Sequence, residues 1–206
     1  MIHRLLENAV PSRYPAQPKY ISALKIRPPA RAKLDPDMRK YFAICDEKIG
    51  FVPNVLAAYS FDAGKLRSFV NFYNNLMLED SGLSKLEREM VAVVVSAANR
   101  CYYCLTAHGQ AVREISGDPS LGELLVMNYR VAKITRKQRA MLDFAHKLTK
   151  TPAEVGAADR KALRDAGLSE RDIWDLSSVV GFFNMTNRLA TATDMMPNKE
   201  YLARSR

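Results

Sequence analysis

Four residues in the stretch SKLEREMVAVVVSAANRCYYCLTAHG, positions 84–109, have types and spacing that suit thiol chemistry. Cys101, Cys104 and His108 fall at i, i+3 and i+7, which lines them along one face of a helix. Residues three apart on a helix hold their Cα atoms within the ~4.4–6.8 Å that a disulfide tolerates. The pair can therefore be oxidised without a large backbone movement. Cys101 opens its helix, where unpaired N–H groups and the helix dipole favour a thiolate. His108 lies one turn past Cys104 and can serve as base for that thiol. The two arguments favour different cysteines, and spacing alone leaves the choice open. Glu89 is the fourth member, on the first turns of the preceding helix. At ~1.5 Å per residue it lies roughly 15 Å before the intervening turn, and His108 roughly 9–10 Å after it. In an antiparallel hairpin the two reach direct or water-mediated contact. Burial raises a carboxyl pKa, which suits Glu89 to a proton relay.

Other uses of these residues lead to different chemistry. A C-x-x-C with His108 and Glu89 could be a zinc site in an interaction module. No second C-x-x-C and no H-x-x-x-H accompanies it, so no metal is expected. A c-type haem needs His immediately after the second cysteine, where Leu105 stands, and no cofactor is expected. Glu89 alone could compensate the dipole of its first helical turn. Cys45 reads as a small buried hydrophobe, and Met195 and Met196 as packing residues. His146 reads as a helix-surface or core residue, and His3 as part of the terminus.

The elements that must position the four residues are helical. Ser84-Lys85-Leu86-Glu87 is a capping box starting a very apolar helix over 85–98, Asn99-Arg100 is a break, and a helix over 102–115 follows. Upstream, Asp35 is an N-cap with Pro36 at the first helical position, and Gly50 stops that helix. Asn54 is a cap candidate for the next helix, and residues 55–79 hold two helical stretches broken near 60–64. Downstream, helices are expected over 120–131, 135–149, 155–166 and 169–194, with Pro197 just beyond. No period-two alternation marks a strand, so the fold class is all-α. Gly82-Leu83-Ser84 and Asn99 recur as Gly167-Leu168-Ser169 and Asn184, a weak repeat that puts Thr186, Leu189 and Thr193 opposite Cys101, Cys104 and His108. Residues 1–34 carry five prolines and read as an extended arm, with a single helical domain over 35–206.

Composition excludes several functions. The net charge of +9 raises nucleic acid as a partner, but the basic residues are scattered. Their densest run, Lys133 to Arg139, has no aromatic to stack on a base, so no nucleic-acid partner is expected. The longest apolar run, Met90 to Ala98, is far short of the ~20 residues of a membrane span, and no membrane partner is expected. The N-terminus shows no secretory signal. Three cysteines, two in a C-x-x-C, do not make a secreted disulfide framework. The expected location is the cytoplasm.

The pattern Glu89-x11-Cys101-x2-Cys104-x3-His108 resembles the signature of the AhpD-like alkylhydroperoxidases, within the carboxymuconolactone decarboxylase superfamily. Val52-Pro53-Asn54, Glu87-Arg88-Glu89, Phe183-Asn184 and Asn187-Arg188 carry the likeness further, to about residues 35–196, on the branch described as peroxidase-related. The resemblance implies an all-helical homo-oligomer that reduces hydroperoxides through a dithiol. It implies that Cys104 attacks the peroxide and Cys101 resolves the sulfenic acid to a disulfide. His108 and Glu89 then move protons, and a lipoyl- or thioredoxin-like dithiol donor reduces the disulfide. The alternative within redox chemistry is a dithiol–disulfide oxidoreductase or redox sensor. One departure is Tyr103, where the better-known branch often has histidine. A phenol with a pKa near ~10 cannot replace an imidazole base at neutral pH.

Overall fold

The computed structural model describes residues 18–206. Among them all regular structure is helical: α1 (Pro36–Ile49), α2 (Asn54–Tyr59), α3 (Ala63–Met77), α4 (Lys85–Ala98), α5 (Tyr102–Ser116), α6 (Pro119–Asn128), α7 (Arg136–Lys150), α8 (Ala157–Asp165), α9 (Glu170–Ala192) and α10 (Glu200–Ala203), with short 3-10 turns at Arg31–Lys33, Tyr129–Val131 and Pro152–Glu154. The fold is all-α, as the periodicity implies.

Local chemistry sets most of these ends. Asp35 accepts the Met38 N–H at 2.9 Å, and Pro36 stands at the first position of α1. Gly50 ends α1 in the left-handed region at φ 78, which costs glycine no steric strain. Capping boxes start α4 at Ser84, α7 at Thr135 and α9 at Ser169. Two expectations are corrected. Asn54 is the first residue of α2 rather than its cap, and its side chain instead donates to the Met196 carbonyl at 2.8 Å. The helix expected over 120–131 stops at Asn128, whose side chain accepts the Arg130 N–H and turns the chain into a 3-10 turn. The four-residue α10 and the other 3-10 turns are too short for periodicity to reveal.

Helix α4 is the axis of the core. Met90, Val91, Ala92, Val93, Val94 and Val95 are each at most 1% exposed, so the helix is apolar on every side and neighbours must surround it. Those neighbours are α5, α6, α7 and α9. At ~1.5–3 kcal/mol for a fully buried aliphatic side chain, this run is a large share of the burial energy. The polar start of the same helix is buried for separate reasons. Glu87 closes the capping box and pairs with Lys137 at 3.0 Å. Arg88 donates to the Leu76 and Glu79 carbonyls at 3.0 and 2.8 Å, holding the end of α3. Glu89 points into the site described below.

The two halves of the weak repeat touch. Asn99 Nδ2 donates to Asn184 Oδ1 at 3.1 Å, and Gly82 sits so close to Asp172 that a Cβ there would come within 2.0 Å of the carboxylate. Of the arm expected over 1–34, residues 1–17 lie outside the described residues. From Pro18 to Ala30 the chain has no helix and runs along the end of α9, where Ala23 N–H donates to Thr193 O and Met196 N–H to Ile21 O, both at 2.9 Å.

Candidate active site

The site is built on the α4–α5 hairpin. The turn between the helices is only Asn99, Arg100 and Cys101, and Arg100 makes it by adopting φ 54, an uncommon conformation for a residue with a Cβ. Cys101 is the N-cap residue of α5 and Cys104 lies one turn in. They are 1% and 4% exposed, and both are free thiols. Val55, Ala58, Ala107, Ala190 and Met195 pack around them.

Glu89 and His108 meet directly. Nδ1 of His108 lies 2.6 Å from Glu89 Oε2, with the two side chains 14% and 11% exposed. A charge-assisted hydrogen bond at this length in a mostly dry pocket fixes the imidazole and commits its Nδ1. Nε2 is the ring nitrogen that this bond leaves uncommitted. The ring is also held edge-on by Phe183, centroid to centroid 4.6 Å. Phe183 continues through Phe182 to Phe69 and Tyr59, an aromatic row from the imidazole to the far side of α2.

The two thiols share one set of interactions and lose their protons unequally. Cys101 is pulled down to about 7, first by the Cys104 S–H donating to its sulfur. Burial opposes this, and the Cys104 backbone N–H, the Thr191 hydroxyl and the nearby His108 assist it. Cys104 is pushed well above its ordinary value because its proton is engaged by Cys101 and because it is buried, with Asn187 and Thr186 offsetting part of the effect. The dithiol thus gives up its first proton near neutral pH and keeps the second between the sulfurs.

Three of these contacts are on α9 and were not picked out as site residues from sequence: Thr186, Asn187 and Thr191. Asn187 is fully buried, with Nδ2 donating to Ser96 and Oδ1 accepting from Asn99, each at 3.0 Å. The weak repeat only aligned Thr186 with Cys101 as equivalent positions, which is no signal of its contact with Cys104.

Tyr103 does not extend the relay. It is 5% exposed, its hydroxyl accepts the Val55 N–H at 2.9 Å, and burial pushes the phenol well above its ordinary range. It ties the start of α2 to α5 and stays protonated. Cys45 sits apart on α1, half-buried, with its thiol pushed up by burial. His146 packs beside Tyr129 at 5.8 Å, and Met195 is buried against the cysteines. His3 lies outside the described residues. Among the described residues no three His, Cys, Asp or Glu side chains converge to hold a metal ion, and no helix is long and apolar enough to cross a membrane.

The chain and its fold are similar to known proteins. Residues 65–120 match the carboxymuconolactone decarboxylase family model. An uncharacterized peroxidase-related protein from Silicibacter sp. TM1040 is 57% identical over 93% of this chain and 99% of its own, with a TM-score of 0.89. An AhpD-core, uncharacterized peroxidase-related protein from Ralstonia eutropha JMP134 is 40% identical over 93% and 98%, with a TM-score of 0.86. The debrominase Bmp8 is 16% identical over 87% and 95%, with a TM-score of 0.75, and shares the fold. No curated protein matches the chain.

Proposed function

The chain belongs to the carboxymuconolactone decarboxylase family, among its AhpD-like peroxidase-related members, and on that premise we propose that it reduces hydroperoxides through a Cys101/Cys104 dithiol–disulfide cycle. The observation that carries the reading is a buried dithiol near a part-buried His108–Glu89 pair at 2.6 Å. A thiolate source and a positioned proton carrier are the two things peroxide reduction asks of a protein.

The cycle starts when the dithiol passes one proton to His108. The resting charge lies on Cys101, and its sulfur then takes the proton of Cys104 along their shared hydrogen bond. Cys104 attacks the terminal oxygen of ROOH. The S–O bond forms as the O–O bond breaks, and His108 protonates the departing alkoxide to give ROH. Cys101 next attacks the sulfur of the Cys104 sulfenic acid, and the hydroxyl leaves as water with the Cys101 proton. Two thiols and ROOH have become a disulfide, ROH and H2O. An external dithiol donor, lipoyl- or thioredoxin-like, takes the disulfide back to the dithiol. Glu89 holds the imidazole and balances its charge. The proposed setting is a homo-oligomer in a reducing compartment, the cytoplasm, where such a pair begins each cycle reduced.

The low position of Cys101 favours a second assignment, in which Cys101 attacks directly and Cys104 resolves. Single-cysteine variants separate the two. With Cys104 attacking, Cys101→Ser turns over once and traps a dimedone-reactive sulfenic acid on Cys104, whereas Cys104→Ser consumes no peroxide. The opposite result assigns the attack to Cys101. For the cycle itself, one equivalent of peroxide is expected to link Cys101 to Cys104 in peptide mapping by mass spectrometry and to leave Cys45 reduced. Loss of thiols no faster than in a free-thiol control refutes the peroxidase reading and leaves the dithiol–disulfide oxidoreductase.

A further inference from the structure

A cavity of about 780 Å³ lies against the dithiol cluster, within the ~300–1,000 Å³ of small-molecule sites. Its floor is shared with the cysteines, because Ala58 and Met195 both line it and pack in the cysteine cluster. One wall is the segment that runs along the end of α9, fixed there by Ala23 and Ile21 and by the Tyr20 hydroxyl donating to Asp194. The interior is apolar, and Leu24, Ile26, Phe61 and Leu189 are 48%, 48%, 45% and 38% exposed in it. That is a concentration of open aliphatic and aromatic surface which the described residues leave uncovered.

The charged groups lining this interior have one sign. Lys19, Lys25, Arg27 and Lys65 line the cavity, and no Asp or Glu does. Lys65 leans toward Asp62 at 3.6 Å. Among the described residues the other three cations have no carboxylate within ion-pair distance. An apolar chamber with a cationic lining matches an apolar chain that ends in an anion. It does not match a second copy docked face to face, because a two-fold contact would set the same cations against themselves.

We propose that this cavity binds long-chain aliphatic carboxylates, and that the preferred substrates are their hydroperoxides. The chain lies over Leu189 and Ile26, the carboxylate meets Lys25 and Arg27, and the peroxide group is delivered to the partition formed by Met195. Methionine is unbranched and flexible enough to move aside there. The choice of substrate rests on the peroxidase reading; the binding site does not.

The test has a binding arm and a reaction arm, both on the full reduced protein. Calorimetric titration with dodecanoate and with its methyl ester measures the site without any chemistry. Dodecanoate is expected to bind about tenfold tighter than the ester, the size of two partly screened charge contacts. The double variant Lys25→Gln, Arg27→Gln removes that preference while keeping ester binding, which also shows that it is folded. Leu189→Trp narrows the chamber where the chain lies and weakens binding of both. No binding of dodecanoate, or equal binding of acid and ester, overturns the proposal. So does dissociation of an oligomer by Leu189→Trp with no dodecanoate binding to wild type, since the cavity is then a contact between copies. In the reaction arm, stopped-flow oxidation by a fatty-acid hydroperoxide is compared with oxidation by its methyl ester. The acid is expected to be faster by about the same tenfold, and the ratio falls to one in the double variant. If dodecanoate binds as expected but no hydroperoxide oxidises the dithiol, the site stands and the peroxidase reading fails. If hydroperoxides react with equal rates as acid and ester, the peroxidase reading stands and the substrate assignment fails.

Discussion

Replacing Cys104 by alanine removes the largest influence on Cys101, the S–H that donates to its sulfur, and tests the electrostatics of the site directly. In the wild type Cys101 is brought from 9.0 to about 7, so about half of the dithiol is singly ionised at pH 7. A thiol left at 9.0 would be about 1% ionised there, a difference of roughly fifty-fold in attacking species. Cys104→Ala is expected to move the midpoint of thiolate absorbance up by about a unit or more, whereas Cys104→Ser keeps a hydroxyl donor and moves it less. The same shift has a stability sign. A lowered folded pKa stabilises the fold above the unfolded value of 9.0 and loses that contribution as pH falls toward about 7. The raised second proton on Cys104 acts oppositely and destabilises as pH climbs above 9.0. The pair therefore adds stability that grows from pH 7 to about 9 and then declines. Two units at ~1.36 kcal/mol each set its ceiling at about 2–3 kcal/mol. Urea unfolding of wild type and Cys104→Ala, differenced across pH, isolates this term from the other titrating groups. A near-neutral thiolate that survives in Cys101→Ala but disappears in Cys104→Ala would refute the reasoning, because the charge would then belong to Cys104.

His108→Gln is expected to slow dithiol oxidation by ~10²–10⁴-fold at neutral pH with helicity retained, and Glu89→Gln to cost less while reshaping the acidic limb of the rate profile. A His108→Gln rate within about threefold of wild type would make the histidine structural. At the hairpin turn, Arg100→Gly should be neutral or slightly stabilising and Arg100→Val should cost ~1–2 kcal/mol in denaturant unfolding, because a β-branched residue is strained at positive φ. Light scattering should find a homo-oligomer at micromolar concentration, and a monomer there removes that part of the proposal.

Much of the helical architecture was legible because several starts carry their own chemistry. Asp35, Ser84, Thr135 and Ser169 are side chains that satisfy free N–H groups whatever the rest of the chain does. Asn54 looked the same and failed, because its side chain found the Met196 carbonyl from the other end of the chain. A partner 142 residues away leaves no local mark. The site divides along the same line. Glu89 and His108 could be set level by counting helical rise on either side of a short turn, and they meet at 2.6 Å. Thr186, Asn187 and Thr191 could not be reached that way, since their approach depends on how α9 crosses the hairpin. The balance between the thiols was equally hidden. Cap position and histidine spacing favoured different cysteines, and the lowered Cys101 thiol sides with the cap position.

Burial of the dithiol also limits which partners can reach it. Thiol–disulfide exchange needs a partner sulfur in line with the attacking one, inside a mixed disulfide. With Cys101 and Cys104 at 1% and 4% exposure, a folded protein's disulfide cannot approach that closely, whereas a peroxide is a slender group. The proposed cycle uses this asymmetry in its first half, because a buried thiolate is open to a small oxidant and closed to most disulfides. It meets the same barrier in its second half, when a donor must reach the oxidised pair. The residues packed with them are Tyr103, Ala190 and Met195, with Val55, Ala58 and Ala107 partly buried against the same cluster. Of these Met195 alone has a long flexible side chain, and it lies just past the end of α9, next to the segment bonded to Thr193 and Met196. A thin reducing arm can follow the path that Met195 opens, but a broad protein face cannot. Of the two donor chemistries, the burial therefore favours the lipoyl type, a dithiol carried on the end of a flexible chain.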